Sequence, residues 1–317
     1  MGDNSMHVVF IVLHFLSADL TDMCLQSLSG LDGGSADDNI SMDIVVIDNG
    51  SHNGSIEIVQ EKYRDDARIH FLFNEENVGF SKANNIAYRF AMENLRPDFV
   101  AVINNDVEIL QKNFLHLLLD VFSKTQAYVI GPDIIAKRTL LHQSPIRLNL
   151  PTRQETIENI YLNSTGSSKR KIRSEVPLAK RLRWSVVKPL EQIPGVRVML
   201  KRWREKRVES AQTRSLTPHK GALLQGAALI FTPLFVKTHE LPFEPETFLY
   251  CEEDILAIRC ATNQWKTWYD PCLQVFHYDD GATEALLGNN SKKSEFQRQN
   301  SVSAGNILLE YEDSIGW

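Results

Sequence analysis

Between residues 7 and 137, short and evenly apolar runs alternate with longer stretches in which apolar residues recur every three or four positions. The runs at 7–13, 44–47, 69–73, 99–103 and 128–130 have the length of strands, and Gly131-Pro132 closes the last. The stretches 19–31, 55–63, 81–95 and 114–124 have helical spacing; in the first, Leu20, Cys24, Leu25 and Leu28 share one face. Strands buried on both faces and separated by helices predict an α/β fold, with a mainly parallel sheet covered on both sides.

Residues 138–220 break this rhythm. Pro145, Pro151, Pro177, Pro189, Pro194 and Pro218 punctuate them, and 163–171 reads as a polar loop. The stretches 178–187 and 196–208 predict basic amphipathic helices carrying Trp184 and Trp203. From Gly221 the earlier pattern resumes, with a strand at 227–231, a helix around 253–263, and strands near 266–269 and 275–277. A polar tail from Ala282 carries a helix near 296–311. The resulting division is 1–137, a basic insertion at 138–220, 221–281, and a tail at 282–317.

Charge sharpens that division. The insertion holds 19 Lys/Arg against 6 Asp/Glu, while the remainder holds 15 against 34, so a net charge of −6 conceals a basic module in an acidic body. At 43% hydrophobic and 23% charged the composition is that of a water-soluble globular protein. No window approaches the ~18 consecutive apolar residues of a spanning helix. The N-terminus has neither a basic signal-peptide region nor a myristoylation pattern. Cys24, Cys251, Cys260 and Cys272 form no Cys-x-x-Cys pair and read as free thiols, which predicts a cytoplasmic protein.

The chemistry concentrates at strand ends, where open parallel sheets bind their ligands. Asp48 closes the run 44–47 and opens Asp48-Asn49-Gly50-Ser51-His52-Asn53-Gly54-Ser55; its carboxylate suits a base or ribose, although the turn's polar residues can equally serve their own backbone. In the next such turn Asn77-Val78-Gly79 shapes a loop. Asn84-Asn85 then fall in early helical turns, where Asn is a poor choice, so their amides face either a ligand or neighbouring backbone. Asn104-Asn105-Asp106 ends a third run and places an acid to hold a divalent cation against a diphosphate. Glu252-Glu253-Asp254 follow the aromatic turn Phe248-Leu249-Tyr250-Cys251. They either complement a helix dipole or supply a general base whose pKa is raised by like charges. His277 ends the last strand, as a structural residue or a metal ligand.

In this order the signals resemble glycosyltransferase family 2 of the GT-A fold, especially its rhamnosyltransferase-like bacterial members. The matches are Asp48–Ser55 to "DNxSxDGS", Asn77–Asn85 to "NxGFxxxNN", Asn104–Asp106 to "NND", Gly226-Ala227-Ala228-Leu229-Ile230 to "GAxLxxRR", Phe248–Leu256 to "FLYxEDxDL", and His277 to a late "HH". They cover 7–137 and 221–281. The resemblance implies that Asp48 contacts the nucleoside in a pocket lined by Leu13, His14 and Phe15. Asn77, Gly79, Lys82, Asn84, Asn104 and Asn105 belong to the same nucleotide-sugar site. It further implies that Asp106 and His277 hold Mn²⁺ or Mg²⁺, that Glu253 or Asp254 is the catalytic base, and that Glu252 faces the acceptor. There are departures: Asn53 replaces an Asp, Ile255 stands where a second acid is usual, and one His replaces two.

The implied reaction is inverting sugar transfer from a UDP- or dTDP-linked donor to a glycan hydroxyl, on a lipid-linked polysaccharide precursor or a protein-bound glycan. The family does not account for the basic insertion. Its residues 178–208 suit an anionic surface at the inner face of the plasma membrane, making the enzyme peripheral there. They equally suit a homo-oligomer contact against another subunit's acidic body, or a solvated cover on the acceptor site. Nucleic-acid binding through the insertion is the weaker alternative and no nucleic-acid partner is expected, because the acid-bearing turns would repel its phosphates. An inactive binding homologue is disfavoured by the retention of Asp106, His277 and Glu253.

Overall fold

The computed structural model describes residues 5–32, 39–182, 208–278 and 290–317. Its centre is one nine-stranded sheet: β1 (Met6–His14), β2 (Ile40–Asp48), β3 (Ile69–Phe73), β4 (Phe99–Asn104), β5 (Val107–Glu108), β6 (Val129–Ala136), β7 (His219–Lys220), β8 (Ala228–Phe231) and β9 (Thr267–His277). The order is β3-β2-β1-β4-β8-β6-β9-β5, with β7 on β9. β1 pairs parallel with β2 and β4, and β2 with β3. β8 runs antiparallel between β4 and β6, and β6 is parallel to β9. Six strands therefore deliver their carboxyl ends to one edge, and β8 starts there.

Period-two alternation divides the core. Val8, Phe10 and Val12 face α1 (Ala18–Ser29), α2 (Ser55–Tyr63) and α4 (Phe114–Thr125), which present Leu25 and Leu28, Ile56 and Val59, and Leu115 and Leu118. Val9 and Ile11 face α3 (Phe80–Phe90) and the helix Glu252–Thr262, through Ala83, Ala87, Tyr88, Leu256 and Cys260. A sheet with helices on both faces is the predicted GT-A arrangement.

Several boundaries differ from the sequence reading. β2 starts at Ile40 because Met6–His14 pairs with its whole length. Gly131-Pro132 does not close β6: the strand passes through, and its register shifts after Pro132, which has no N–H for the ladder. Gly131 is needed there because a Cβ would lie 2.6 Å from Leu224 Cδ2. The segments predicted near 266–269 and 275–277 are one strand, β9. The helix predicted over 81–95 is α3 followed by a π turn, Ala91–Leu95.

The segment read as a polar loop at 163–171 instead belongs to α5 (Arg153–Asn163) and α6 (Gly166–Ile172). A reciprocal cap between Thr152 and Glu155 starts α5. Ile157 and Ile160 then pack with Ile172, Val176, Val302 and Leu309, which compensates for weak local spacing. Of the two basic helices predicted in the insertion, 178–182 and 208–214 are helical and 183–207 lies outside the described residues. Writing the acid-bearing helix Glu252–Thr262 as α7, the tail forms α8 (Asn290–Ile315), which exceeds the predicted 296–311 at both ends. Leu308 on α8 packs against Ile255 and Ile258 of α7. Gly305 admits Ile160 of α5, whose Cγ1 would be 2.6 Å from a Cβ there.

Candidate active site

At the donor end, β1 and β2 finish side by side, with His14 opposite Asp48. Asp48 accepts hydrogen bonds from the Ser51 hydroxyl and backbone N–H. His14 is fully buried and bonded at both nitrogens, Nδ1 to Thr21 Oγ1 at 2.6 Å and Nε2 to Ser55 Oγ at 2.9 Å. The contacts form one chain: Asn105 Nδ2 donates to Thr21 Oγ1, which donates to Ser17 O and meets His14 Nδ1, while His14 Nε2 meets Ser55 Oγ, which donates to Asn53 Oδ1. Burial lowers the His14 pKa against the opposing fields of Asp48 and Glu57, in keeping with a neutral ring. His14 was expected to line the pocket. Instead its ring supports the Asp48 and Asn105 turns from behind, and half-buried Leu13 is the more accessible neighbour.

The second turn is built into the first. Asn49 Nδ2 donates to Asn77 Oδ1 at 3.0 Å, and Asn49 Oδ1 accepts from Val78 N–H and Asn74 Nδ2. Gly50, at φ +73°, lies against this turn, where a Cβ would be 2.7 Å from Glu76 Cα. Asn77 Oδ1 also accepts from Gly79 N–H, so its acceptor is spent inside the loop. Gly79, at φ +87°, leaves room for Phe248, and Phe80 N–H donates to Phe248 O at 2.7 Å.

The two helical Asn residues resolve differently. Asn85 bonds the backbone of Phe243 in both directions and Glu246, the neighbouring-backbone alternative. Asn84, expected among the donor-site residues, is fully buried; its Nδ2 donates to Phe80 O of its own helix, and its Oδ1 has no hydrogen-bond partner among the described residues. Lys82 is exposed on the first turn of α3.

Asp106 follows β4, and the short β5 then pairs Val107 with His277. Tyr278 N–H donates to Asp106 O at 3.0 Å, which fixes this corner through the backbone. His277 Nε2 lies 3.2 Å from Asp106 Oδ1, while Nδ1 lies 2.9 Å from Gln143 Oε1. Asp106 Oδ1 is buried without a hydrogen bond of acceptable geometry. A carboxylate oxygen and an imidazole nitrogen at this spacing fit adjacent positions on an octahedral Mg²⁺ or Mn²⁺, whose edge is about 3 Å for bonds of about 2.1 Å. Among the described residues no cluster of three or more His, Cys, Asp or Glu completes such a shell, so its other positions would fall to ligand or water oxygens. Asn104 is half-buried and donates its N–H to Ala227 O, and Asn105 is turned inward to Thr21.

That bond links the Asp106 turn to the acidic cluster, because Gly226 N–H, one residue before Ala227, donates to Glu253 Oε1 at 3.1 Å. A Cβ at 226 would be 2.7 Å from the same oxygen, which accounts for glycine there. The three acids begin α7 behind Tyr250 and Cys251, both at positive φ. Burial pushes the Glu253 carboxyl up to about 7, and the Asp254 charge adds to the shift. Glu252 is buried and raised well above the usual range by burial and by Glu253, with the Thr247 hydroxyl donating to it. Asp254 is also raised by burial, but Arg147 opposes this from 3.2 Å and pairs with Glu155 as well. Asp254 and Arg147 border a groove of about 810 Å³ with Arg214, Ile146, Val208 and Leu223.

Sequence reasoning missed Asn49, Gln143 and Arg147, and it took Gly226 only as a motif letter. Asn49 and Gly226 sit inside motifs. Gln143 and Arg147 lie in the insertion, where no pattern marks them.

A sequence model of the family described as "Glycosyl transferase family 2" matches residues 11–173, just over half of the chain. The low-salt glycan biosynthesis hexosyltransferase Agl10 of Haloferax volcanii is 32% identical over 104 residues, which span 32% of this chain and 32% of that protein. The matched stretch is thus about a third of the curated relative. The crystal structure of S. aureus TarS superposes with a TM-score of 0.50 at 15% identity, over 93% of this chain and 43% of TarS. The mannosyltransferase PcManGT of Pyrobaculum calidifontis, in complex with GDP-Man and Mn²⁺, gives 0.48 at 12% identity, over 97% and 75%.

Proposed function

This chain belongs to glycosyl transferase family 2, and we propose that it is a cation-dependent, inverting glycosyltransferase that draws its sugar from a nucleotide donor and acts on a glycan hydroxyl. One observation supports the reading most: Asp48, the Asp106–His277 pair and Glu253 meet at one sheet edge, joined through Asn104, Ala227 and Gly226. A UDP or dTDP moiety then lies at the ends of β1 and β2, with Asp48 accepting from its base or ribose. The diphosphate lies toward Asp106 and His277, which would hold Mn²⁺ or Mg²⁺. That ion supplies neutralising charge for the leaving diphosphate.

Glu253 acts at the acceptor. Gly226 N–H fixes one of its carboxylate oxygens, and a pKa of about 7 suits proton transfer at neutral pH. Glu253 takes the acceptor's hydroxyl proton as that oxygen bonds to the anomeric carbon, from the face opposite the diphosphate. The bond from that carbon to the diphosphate oxygen breaks, its electron pair leaves with the diphosphate, and the configuration inverts. The acceptor, lipid-linked or protein-bound, enters by the groove beside Asp254 and Arg147, and Glu252 backs that side of the site from its bond to Thr247. The basic insertion meets an anionic membrane surface, which brings the enzyme to a lipid-linked acceptor.

Thermal melting with UDP, dTDP and GDP, with and without Mn²⁺, tests the donor half. UDP or dTDP with Mn²⁺ is expected to raise Tm by about 5 °C at roughly a hundredfold excess over Kd. Asp106→Asn is expected to abolish the cation-dependent part. Equal stabilisation with and without the cation, or by none of the nucleotides, would overturn the reading.

A further inference from the structure

We infer that Gln143, from the insertion, is a positioning residue for His277: its side-chain carbonyl fixes the imidazole tautomer so that Nε2 faces Asp106 as a lone pair. The inference rests on the cation site proposed above, but its first observation does not. His277 Nδ1 lies 2.9 Å from Gln143 Oε1, an acceptor, so Nδ1 carries the proton. In the neutral ring Nε2 is then unprotonated, 3.2 Å from an Asp106 Oδ1 that has no hydrogen bond of acceptable geometry. A neutral ring held this way turns a lone pair toward the Asp106 carboxylate, an arrangement that a cation between the two atoms satisfies.

Gln143 is itself firmly held. Its N–H donates to Ile134 O at 2.7 Å, and the preceding His142 bridges back to Ile135 of β6. The His142 ring bonds the buried Asp133 carboxylate at 2.8 Å. Gln212, in the 208–214 helix, clamps the His142 backbone from both sides, accepting its N–H at 2.8 Å and donating to its carbonyl at 3.0 Å. Ala136 and Lys137 meet His277 along the opposite strand, where Lys137 N–H donates to His277 O. Both ends of the basic module therefore bear on one imidazole. An amide also differs usefully from a carboxylate here. It accepts the Nδ1 proton but adds no charge, so a divalent ion on Asp106 and neutral His277 keeps one net positive charge for the diphosphate. A Glu at 143 would strengthen the ligand and spend that charge.

The test combines two readouts on the full-length protein. Long-range ¹H–¹⁵N spectra of the metal-free chain are expected to show His277 protonated at Nδ1, and Gln143→Leu is expected to lose that signature while the melting curve stays cooperative. Mn²⁺ titration in the presence of UDP, followed by the EPR signal of the free ion, is expected to show binding weakened about 10- to 100-fold in Gln143→Leu. Gln143→Glu is expected to bind Mn²⁺ at least as tightly as wild type, with Nδ1–H retained and a lower kcat. A neutral wild-type ring protonated at Nε2 and not at Nδ1, or a Gln143→Leu variant with unchanged tautomer and Mn²⁺ affinity, would overturn the inference. If wild type binds no Mn²⁺, the cation reading fails and the tautomer result alone decides the role of Gln143.

Discussion

Glu253 and Asp254 are adjacent in sequence but differ electrostatically. Asp254 has a cation at 3.2 Å, whereas Glu253 has one backbone N–H and a carboxylate neighbour. Burial raises Glu253 from an ordinary 4.5 to about 7, so its base form fills as pH rises through neutrality. Turnover is therefore expected to climb with pH and reach half-maximum near 7. Glu253→Gln keeps an acceptor for Gly226 N–H but cannot take a proton, so it is expected to lose about 10²- to 10⁴-fold in kcat with nucleotide affinity unchanged. Asp254→Asn is expected to keep most activity, since Arg147 retains Glu155. The reverse pattern in a steady-state comparison would make Asp254 the base. A stability consequence carries its own sign. A carboxyl whose folded pKa is raised stabilises the protein below its unfolded value of 4.5, and that stability is lost as pH climbs through about 7. Denaturant midpoints of Glu253→Gln and wild type are thus expected to converge near pH 5 and to favour the variant at pH 8, by on the order of 2–3 kcal/mol.

The elements explain why these residues meet. α3 and the loop 243–248 come from distant parts of the chain, yet Asn85 joins them and Ser81 faces Thr247 at 3.1 Å. Gly79 lets Phe248 close against the α3 start, and Thr247 then donates to Glu252 of α7. Gly79→Ala would put a Cβ 2.6 Å from the Phe248 backbone at a positive φ, so we expect roughly 2–4 kcal/mol of lost stability. Because the displaced turn leads into α7, kcat should fall as well. Chemical denaturation and turnover together check this, and a loss of stability with unchanged kcat would show the two turns to be uncoupled. The strands and strand-end turns were legible in sequence because apolar runs and their closing polar residues are local signals. The role of each amide was not: Asn85 is out of place in a helix whether it binds a ligand or the Phe243 backbone. β8 reads as a strand, but nothing local says that it slots antiparallel between β4 and β6, since that depends on pairings over a hundred residues apart. Gln143 and Arg147 gave no signal because 138–220 is organised by distant partners, namely β9, α7 and α8, and not by its own periodicity.

At the scale of the whole molecule, the charge division matters because the basic part lines the groove proposed to admit the acceptor. Arg147 and Arg214 on the groove wall belong to the insertion, and Asp254 belongs to α7. The insertion also exposes Leu178 (60%), Leu182 (56%) and Leu216 (66%), with Arg170, Lys171, Arg173 and Lys180. Among the described residues no helix is long and apolar enough to cross a membrane. Aliphatic side chains interspersed with cations suit the proposed contact with an anionic bilayer surface, where each basic residue contributes about 1 kcal/mol and salt screens it. The acidic remainder would be repelled from the same surface, which favours one orientation with the insertion facing the lipid. Sedimentation with vesicles of phosphatidylglycerol and phosphatidylcholine is expected to pull down the wild-type chain at low salt and to release it as ionic strength rises. Reversing Arg170, Lys171, Arg173 and Lys180 to Glu is expected to abolish binding, while turnover on a water-soluble acceptor is retained. A chain that ignores anionic vesicles but self-associates through the insertion, with that association lost in the reversed variant, would assign the basic surface to a second copy. The arginine-lined groove would then serve an acceptor presented in solution.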